Sequence, residues 1–230
     1  MSGCDLLLFG ATRNTGLHIA RLAARRGEKI AAMVRAGSDA SALKKWGVRV
    51  LEGDAFDVDD CMGVIDQASP RRVVSLMGGK NLEGRRVCGE GNINVIRALE
   101  NSTPVERFVL VTSMGCGEQF AGLNENVKKF LGEALLAKTE AEDYLRLSGL
   151  PWTIVRPGGL NNEPASGAFC LLDAPDRSRQ GYVSREDVAA AVLAILDDAG
   201  YLYRATTVQC DLPVGEGGDA WGCRFFCPCE

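Results

Sequence analysis

The stretch LLLFGATRNTG, Leu6 to Gly16, decides the fold. Its first four residues form an unbroken apolar run, the pattern of a strand buried on both faces. Gly10 can turn the chain where that strand ends, and Thr15 and Gly16 open a segment with helical periodicity. A strand, a glycine turn and a helix start in direct succession form a cradle for an anion, because a helix N-terminus offers unpaired N–H groups and partial positive charge. The centre of the turn, where a glycine is usual, carries Arg13 and Asn14. Asn is among the few non-glycine residues that tolerate positive φ, so Asn14 can stand in the glycine's place. A plain βα turn remains the bland alternative, but the strand before, the helix after and a second strand near residue 29 supply the context of a dinucleotide site.

Outward from this turn, strands and helices alternate. Strands are predicted at residues 5–10, 29–34, 48–51, 72–76, 107–112, 152–155 and 206–210. Helices are predicted at 15–26, 40–46, 57–67, 90–101, 124–148 and 184–197. Continuous apolar strands separated by helices imply α/β architecture, a doubly wound, mostly parallel sheet of the Rossmann type. One domain is expected over residues 4–210. Loops at 79–89, 115–122 and 158–181 gather at the carboxyl edge of the sheet, where ligands bind in such folds. Phe169, Leu171 and Leu172 in the last loop are candidates to close over a ligand. Residues 211–230 have no periodicity and read as a loose Cys- and Gly-rich tail. Cys223, Cys227 and Cys229 cluster there, but three cysteines without a histidine do not make a convincing metal site, and no metal is expected.

The 230 residues carry 26 Lys and Arg against 30 Asp and Glu, a net charge of −4. That balance points to neither nucleic acid nor an anionic membrane as partner, and a small molecule is expected instead. No apolar stretch reaches the roughly 20 residues of a membrane span, and residues 1–5 lack signal-peptide character; a cytoplasmic location is the expectation. The nine cysteines, mostly scattered singly, read as reduced thiols.

The end of the second strand refines the choice of dinucleotide. NAD sites usually place Asp or Glu there, on the ribose hydroxyls. Here the position carries Arg35, and the nearest acid is Asp39. Two arginines, Arg13 and Arg35, and no carboxylate at that position suit the 2′-phosphate of NADP(H).

Six segments in order, FGATRNTG (9–16), VR (34–35), EGD (52–54), VLVTSMG (109–115), AKTEAEDYLRLSGLPWTIVRPGGL (137–160) and YVSREDVAAAVLAIL (182–196), resemble the atypical short-chain dehydrogenase/reductases. The branch is the NmrA-like and flavin/biliverdin-reductase-B-like one. The resemblance implies a cofactor site of Gly10, Thr12, Arg13, Asn14, Thr15, Gly16, Arg35, Asp54, Ala55, Met77, Gly78, Thr112, Ser113, Lys138, Pro157 and Gly158. It places Asp54 on the adenine amino group, Met77 and Gly78 against adenosine, and Ser113, Pro157 and Gly158 beside the nicotinamide. Lys138 then holds the nicotinamide ribose, and Lys138 and Ser113 are the catalytic candidates. Arg185 and Asp187 match a pair that helps fix the fold. Blander readings stand beside these: Asp54 as a loop acid or helix cap, Ser113 as a strand end, and Lys138 as a solvated partner of Glu142.

The main branch of that superfamily carries a tyrosine four residues before its lysine; here that position is Ala134. Tyr144, six residues after Lys138, lies about 240° further round a helix and cannot replace it. A conjugated acceptor such as a flavin or bilin can still take hydride, with solvent delivering the proton. Cys116, in the loop after the fifth strand, is expected to overhang the cofactor, either as a reactive thiol or as a plain loop cysteine. His18 reads as a surface or packing residue. The expected function is an NADPH-dependent reductase of a small conjugated or carbonyl substrate. The alternatives are a non-catalytic NADP-binding sensor or assembly protein, and a redox-neutral isomerase or epimerase with tightly bound NADP.

Overall fold

The computed structural model describes residues 3–179 and 181–211. The tail at 212–230, with its cysteine cluster, lies outside the described residues.

Strand β1 (Leu6–Phe9) is buried along its whole length. It pairs in parallel with β2 (Ile30–Val34) on one side and with β4 (Arg72–Ser75) on the other. The eight-stranded sheet continues through β3 (Arg49–Glu52), β5 (Arg107–Val111), β6 (Trp152–Pro157), β8 (Phe169–Leu172) and β10 (Arg204–Cys210), in the order β3-β2-β1-β4-β5-β6-β10-β8. All neighbours are parallel except β8, which runs antiparallel to β10 at the edge.

Because side chains alternate across a strand, both sheet faces are apolar. Leu6 and Leu8 face helices α1 (Asn14–Arg25), α2 (Ser41–Lys45) and α6 (Arg185–Asp197). Leu7 and Phe9 face α3 (Val58–Ala68), α4 (Asn92–Glu100) and α5 (Glu125–Leu147). Two helical layers therefore cover one parallel sheet. Full burial of each such large apolar side chain contributes about 1.5–3 kcal/mol. The chain winds outward from β1 to β3, then crosses back so that β4 lies on the far side of β1. A crevice opens where the order reverses, above the carboxyl ends of β1 and β4.

Three features of the chain beyond residue 80 depart from the sequence expectation. Residues 87–91 form a π-helical turn leading into α4, rather than a helix from residue 90. The loop 158–181 contains β7 (Gly159–Asn161) and β8, and β7 pairs with β9 (Tyr182–Ser184) in a two-stranded ribbon. Phe169, Leu171 and Leu172 consequently lie in β8 against β10 instead of closing over a ligand; Phe169 and Leu171 pack on the core beneath α6. The strand expected at 206–210 begins earlier, at Arg204. Among the described residues, no helix is long and apolar enough to cross a membrane.

Candidate active site

The turn after β1 is built on close backbone approach. Gly10 has φ of 92°, and a Cβ there would press within 3.2 Å of the Leu76 and Met77 backbone. A Cβ on Gly16 would meet the Gly10 carbonyl oxygen at 2.1 Å, so only glycine lets the first turn of α1 sit this close to the end of β1. Asn14 adopts φ of 52°, the left-handed conformation its side chain tolerates.

The N-terminus of α1 is left open. Arg13 precedes it with no side-chain cap, and no acid occupies the first turn. The first helical bond inward is Leu17 N–H to the Arg13 carbonyl, 3.2 Å. By contrast, Asp57, Asn124 and Ser184 cap α3, α5 and α6 through their side chains. A glycine-built cradle at an uncapped helix start fits an anionic group such as a diphosphate.

A cleft of ≈ 1040 Å³ runs along the carboxyl edge of the sheet from this turn. Gly10, Thr12, Arg13, Asn14, Thr15 and Gly16 line one end together with Arg35, Asp54, Ala55, Met77 and Gly78, and Thr112, Ser113, Lys138, Pro157 and Gly158 line the other. Every residue proposed from sequence for the cofactor thus borders a single cleft. Arg13 and Arg35 are exposed on its rim. Asp39 also reaches the cleft, but its carboxylate accepts the Ser41 amide at 2.9 Å, which holds its pKa below the usual carboxylate range. Asp54 accepts the Phe56 amide through Oδ1. The Ala55 carbonyl is held by the buried Asn94 side chain at 3.0 Å, a contact from α4 that no local pattern announces.

Lys138 projects from the middle of α5, and its ammonium donates to the Thr112 carbonyl at 3.0 Å. Glu142, one turn later, serves other groups. Its carboxylate is fully buried and accepts the Thr112 hydroxyl at 2.6 Å, Arg156 Nε at 3.1 Å and Arg156 Nη2 at 2.6 Å. Arg146 adds a bond at 3.1 Å. Arg156, 1% exposed, also pairs with Glu118 at the cleft edge. Burial opposes the charge on Arg156, but bonds from Glu142 and Glu118 outweigh it and raise the pKa of the guanidinium. The same arginine holds Glu118 below the ordinary carboxylate value. The network pins Thr112 through its side chain while Lys138 grips its carbonyl. It joins Thr112, which follows β5, to groups from β6 and α5, and the sequence reading passed over it.

Cys116 does not overhang the cleft, contrary to the expectation from sequence. It is fully buried against Val127 and Leu135 of α5 and does not border the cleft. Turns with positive φ at Gly115 and Gly117 carry the chain down into this apolar layer. Burial pushes its thiol up to about 12, which removes it from nucleophilic or redox chemistry near neutrality. His18 is half-buried beside Arg21, 3.1 Å from its guanidinium, and away from the cleft. Tyr144 faces Arg97 and Glu100 instead of the cleft. Ala134 is buried, so no hydroxyl stands four residues before Lys138.

Beyond Lys138 the cleft turns apolar, with Met114, Leu123, Val127, Leu131 and Leu135 on its walls. Ser113 borders this region, its hydroxyl donating to the Met114 carbonyl at 3.1 Å. Gly79, Lys80 and Asn81 contribute from one loop, Gly115, Glu118 and Gln119 from the next, and Leu160, Pro175 and Arg177 from the third.

Comparison with known proteins agrees with this geometry. Residues 10–199 match the family described as NAD(P)H-binding. The solved structure of ChuY, an anaerobillin reductase from Escherichia coli O157:H7, superposes with a TM-score of 0.79 at 30% identity, covering 89% of this chain and 96% of that one. Sanguinarine reductase of Eschscholzia californica is 40% identical over 97 residues, 40% of this chain and 34% of its own length. An uncharacterized sugar epimerase of Bacillus subtilis, YhfK, is 35% identical over 113 residues, 49% of each chain. The matches to these two curated relatives thus span about a third and about half of the relatives' lengths. With its Rossmann-type sheet and the glycine-built turn after β1, the chain belongs to the NAD(P)H-binding family, as an atypical short-chain dehydrogenase/reductase.

Proposed function

We propose that this protein is an NADPH-dependent reductase of a small conjugated or carbonyl compound. The observation that carries this reading is the continuity of the cleft: an uncapped helix start with two exposed arginines at one end, and Lys138, Thr112 and Ser113 opening onto an apolar chamber at the other. When bound, NADPH supplies a hydride from its nicotinamide ring. The amides of α1 and the hydroxyls of Thr12 and Thr15 receive its diphosphate. Arg13 and Arg35 receive the 2′-phosphate, each guanidinium offering paired N–H donors. Asp54, Ala55, Met77 and Gly78 flank the adenosine half. Lys138, its orientation set by the Thr112 carbonyl, holds the nicotinamide ribose, and Ser113, Pro157 and Gly158 border the ring. The apolar walls exclude water from one side of the substrate, which strengthens the interactions that orient it. The proton comes from water or from the substrate itself, since Ala134 can donate none; this restricts the reaction to acceptors that tolerate reduction without an adjacent strong acid. The similarity to two reductases supports the reading.

Ala134 and the partial likeness to a sugar epimerase favour the competing readings, a sensor and a redox-neutral enzyme. One assay separates them. NADPH is incubated with the protein and a panel of flavins, quinones and enals, and nicotinamide absorbance is followed. Turnover is expected with at least one conjugated acceptor, and Lys138→Ala is expected to lower it by about 100-fold, the scale of losing a charge-assisted hydrogen bond worth roughly 1.5–3 kcal/mol. Binding without turnover would favour a sensor, and copurified cofactor that is never consumed a redox-neutral enzyme.

A further inference from the structure

Arg185 opens α6 and borders the cleft near Gly158, Leu160 and Pro175. It is only 6% exposed. Its Nη1 donates to the neutral Asn162 side chain at 2.8 Å, and its buried Nε has no hydrogen-bond acceptor. Among the described residues, no carboxylate pairs with it. The acids beside it in sequence are committed elsewhere. Glu186 pairs with Arg21 across the α1–α6 contact. Asp187 accepts from the Ser184 and Ser166 hydroxyls and from the Ser166 and Gly167 amides. Asp176, in the adjoining loop, is held by Ser178 and Arg179. Asp187 therefore fastens the 158–181 segment to α6, and Arg185 forms no ion pair with it.

A buried guanidinium without a counter-ion is costly, because an isolated charge loses hydration that only an anion or a full set of acceptors restores. Burial alone accounts for the lowering of its pKa, with no acid raising it back. Of the other two arginines buried this deeply, Arg156 is answered by Glu142 and Glu118, and Arg107, which also lacks a salt bridge, lies away from the cleft and donates to the Thr153 hydroxyl and the Asp198 carbonyl. Arg185 differs in facing the cleft, where a ligand can supply the missing charge. Arg177, exposed on the same rim, adds a second cation.

We propose that Arg185 receives a carboxylate of the substrate, so that the conjugated acceptor of the preceding section is an anionic one. This rests on the reductase reading for the identity of the ligand, but its test reads binding, not turnover. The probes are anthraquinone-2-carboxylate and its carboxamide, flat conjugated molecules that differ in charge at one substituent. Each is titrated calorimetrically into the protein loaded with NADP⁺, whose own binding is measured first. Wild type is expected to bind the acid at least tenfold more tightly than the amide. Arg185→Met, which keeps length and removes charge, is expected to bring that ratio below about threefold, and Arg185→Lys to retain part of it. Equal wild-type affinities, no binding of the acid, or a ratio unchanged in Arg185→Met would overturn the proposal. So would a fall in NADP⁺ affinity that leaves the acid-to-amide ratio intact, which would assign the guanidinium to the coenzyme's diphosphate. The wild-type comparison stands even where a variant folds poorly. A carboxylate preference without NADPH consumption would retain the anion site and remove the reductase reading; the reverse outcome would do the opposite.

Discussion

Glu142→Ala is expected to lower stability by about 3–5 kcal/mol, the range for removing one partner of a buried ion pair. Arg156 would stay buried at 1% exposure with only Glu118 to answer it, and the Thr112 hydroxyl would lose its close acceptor at 2.6 Å and keep only the Val155 carbonyl at 3.5 Å. For a chain of this size, 3 kcal/mol corresponds to a fall in melting temperature of about 6–12 °C, measurable by calorimetry or circular dichroism. The double variant Glu142→Leu/Arg156→Met separates charge from position. Replacing a buried pair by apolar residues of similar volume is often neutral, so the double variant is expected to regain most of the lost stability. It does not restore the carboxylate that held the hydroxyl of Thr112, whose carbonyl orients Lys138. Turnover in the double variant is therefore expected to stay about tenfold below wild type. Full recovery of both stability and turnover would show that the network supports the fold alone.

The second large effect concerns the choice of coenzyme. Arg13→Ala combined with Arg35→Asp is expected to weaken NADPH binding by about 100-fold or more and to bring NADH affinity level with or above it. Each guanidinium–phosphate contact is worth roughly 1.5–3 kcal/mol, and tenfold in affinity corresponds to about 1.4 kcal/mol. Both arginines are exposed, and neither forms an ion pair with a described residue, so their removal spares the core. Fluorescence titration with both coenzymes measures the ratio directly. A double variant with an unchanged preference would show that the two arginines do not read the extra phosphate.

What the sequence disclosed and what it hid follow from the range of the interactions involved. The βα turn was legible because its requirements are local: Gly10 for close approach, Asn14 for positive φ, Gly16 for the tight first turn. The central parallel strands were legible because burial on both faces writes itself as a run of apolar residues. By contrast, β7, β8 and β9 have three or four residues each, mostly half-buried, and pair with distant partners; nothing within so short a window distinguishes them from loop. Glu142 and Arg156 lie on a helix and a strand 14 residues apart, and the local i,i+4 relation suggested Lys138 as the partner of Glu142. Burial settled the choice, because a fully buried carboxylate takes the arginine facing it from β6. Cys116 was misplaced for a related reason: the direction of the chain after β5 depends on two glycine turns whose conformations the sequence alone does not specify. The resemblance gave Arg185 a structural role; that it lacks a carboxylate partner emerges only once the acids around it have been assigned.

On the reading proposed above, the first βα turn holds a nicotinamide dinucleotide, and Arg13 and Arg35 select the form with the 2′-phosphate. Isothermal titration of the folded protein with NADPH and with NADH tests it most directly. Saturable binding of NADPH, at least tenfold tighter than NADH, is the expected result. No heat with either coenzyme from a protein shown to be folded would contradict the site itself, and tighter binding of NADH would contradict the role of the two arginines.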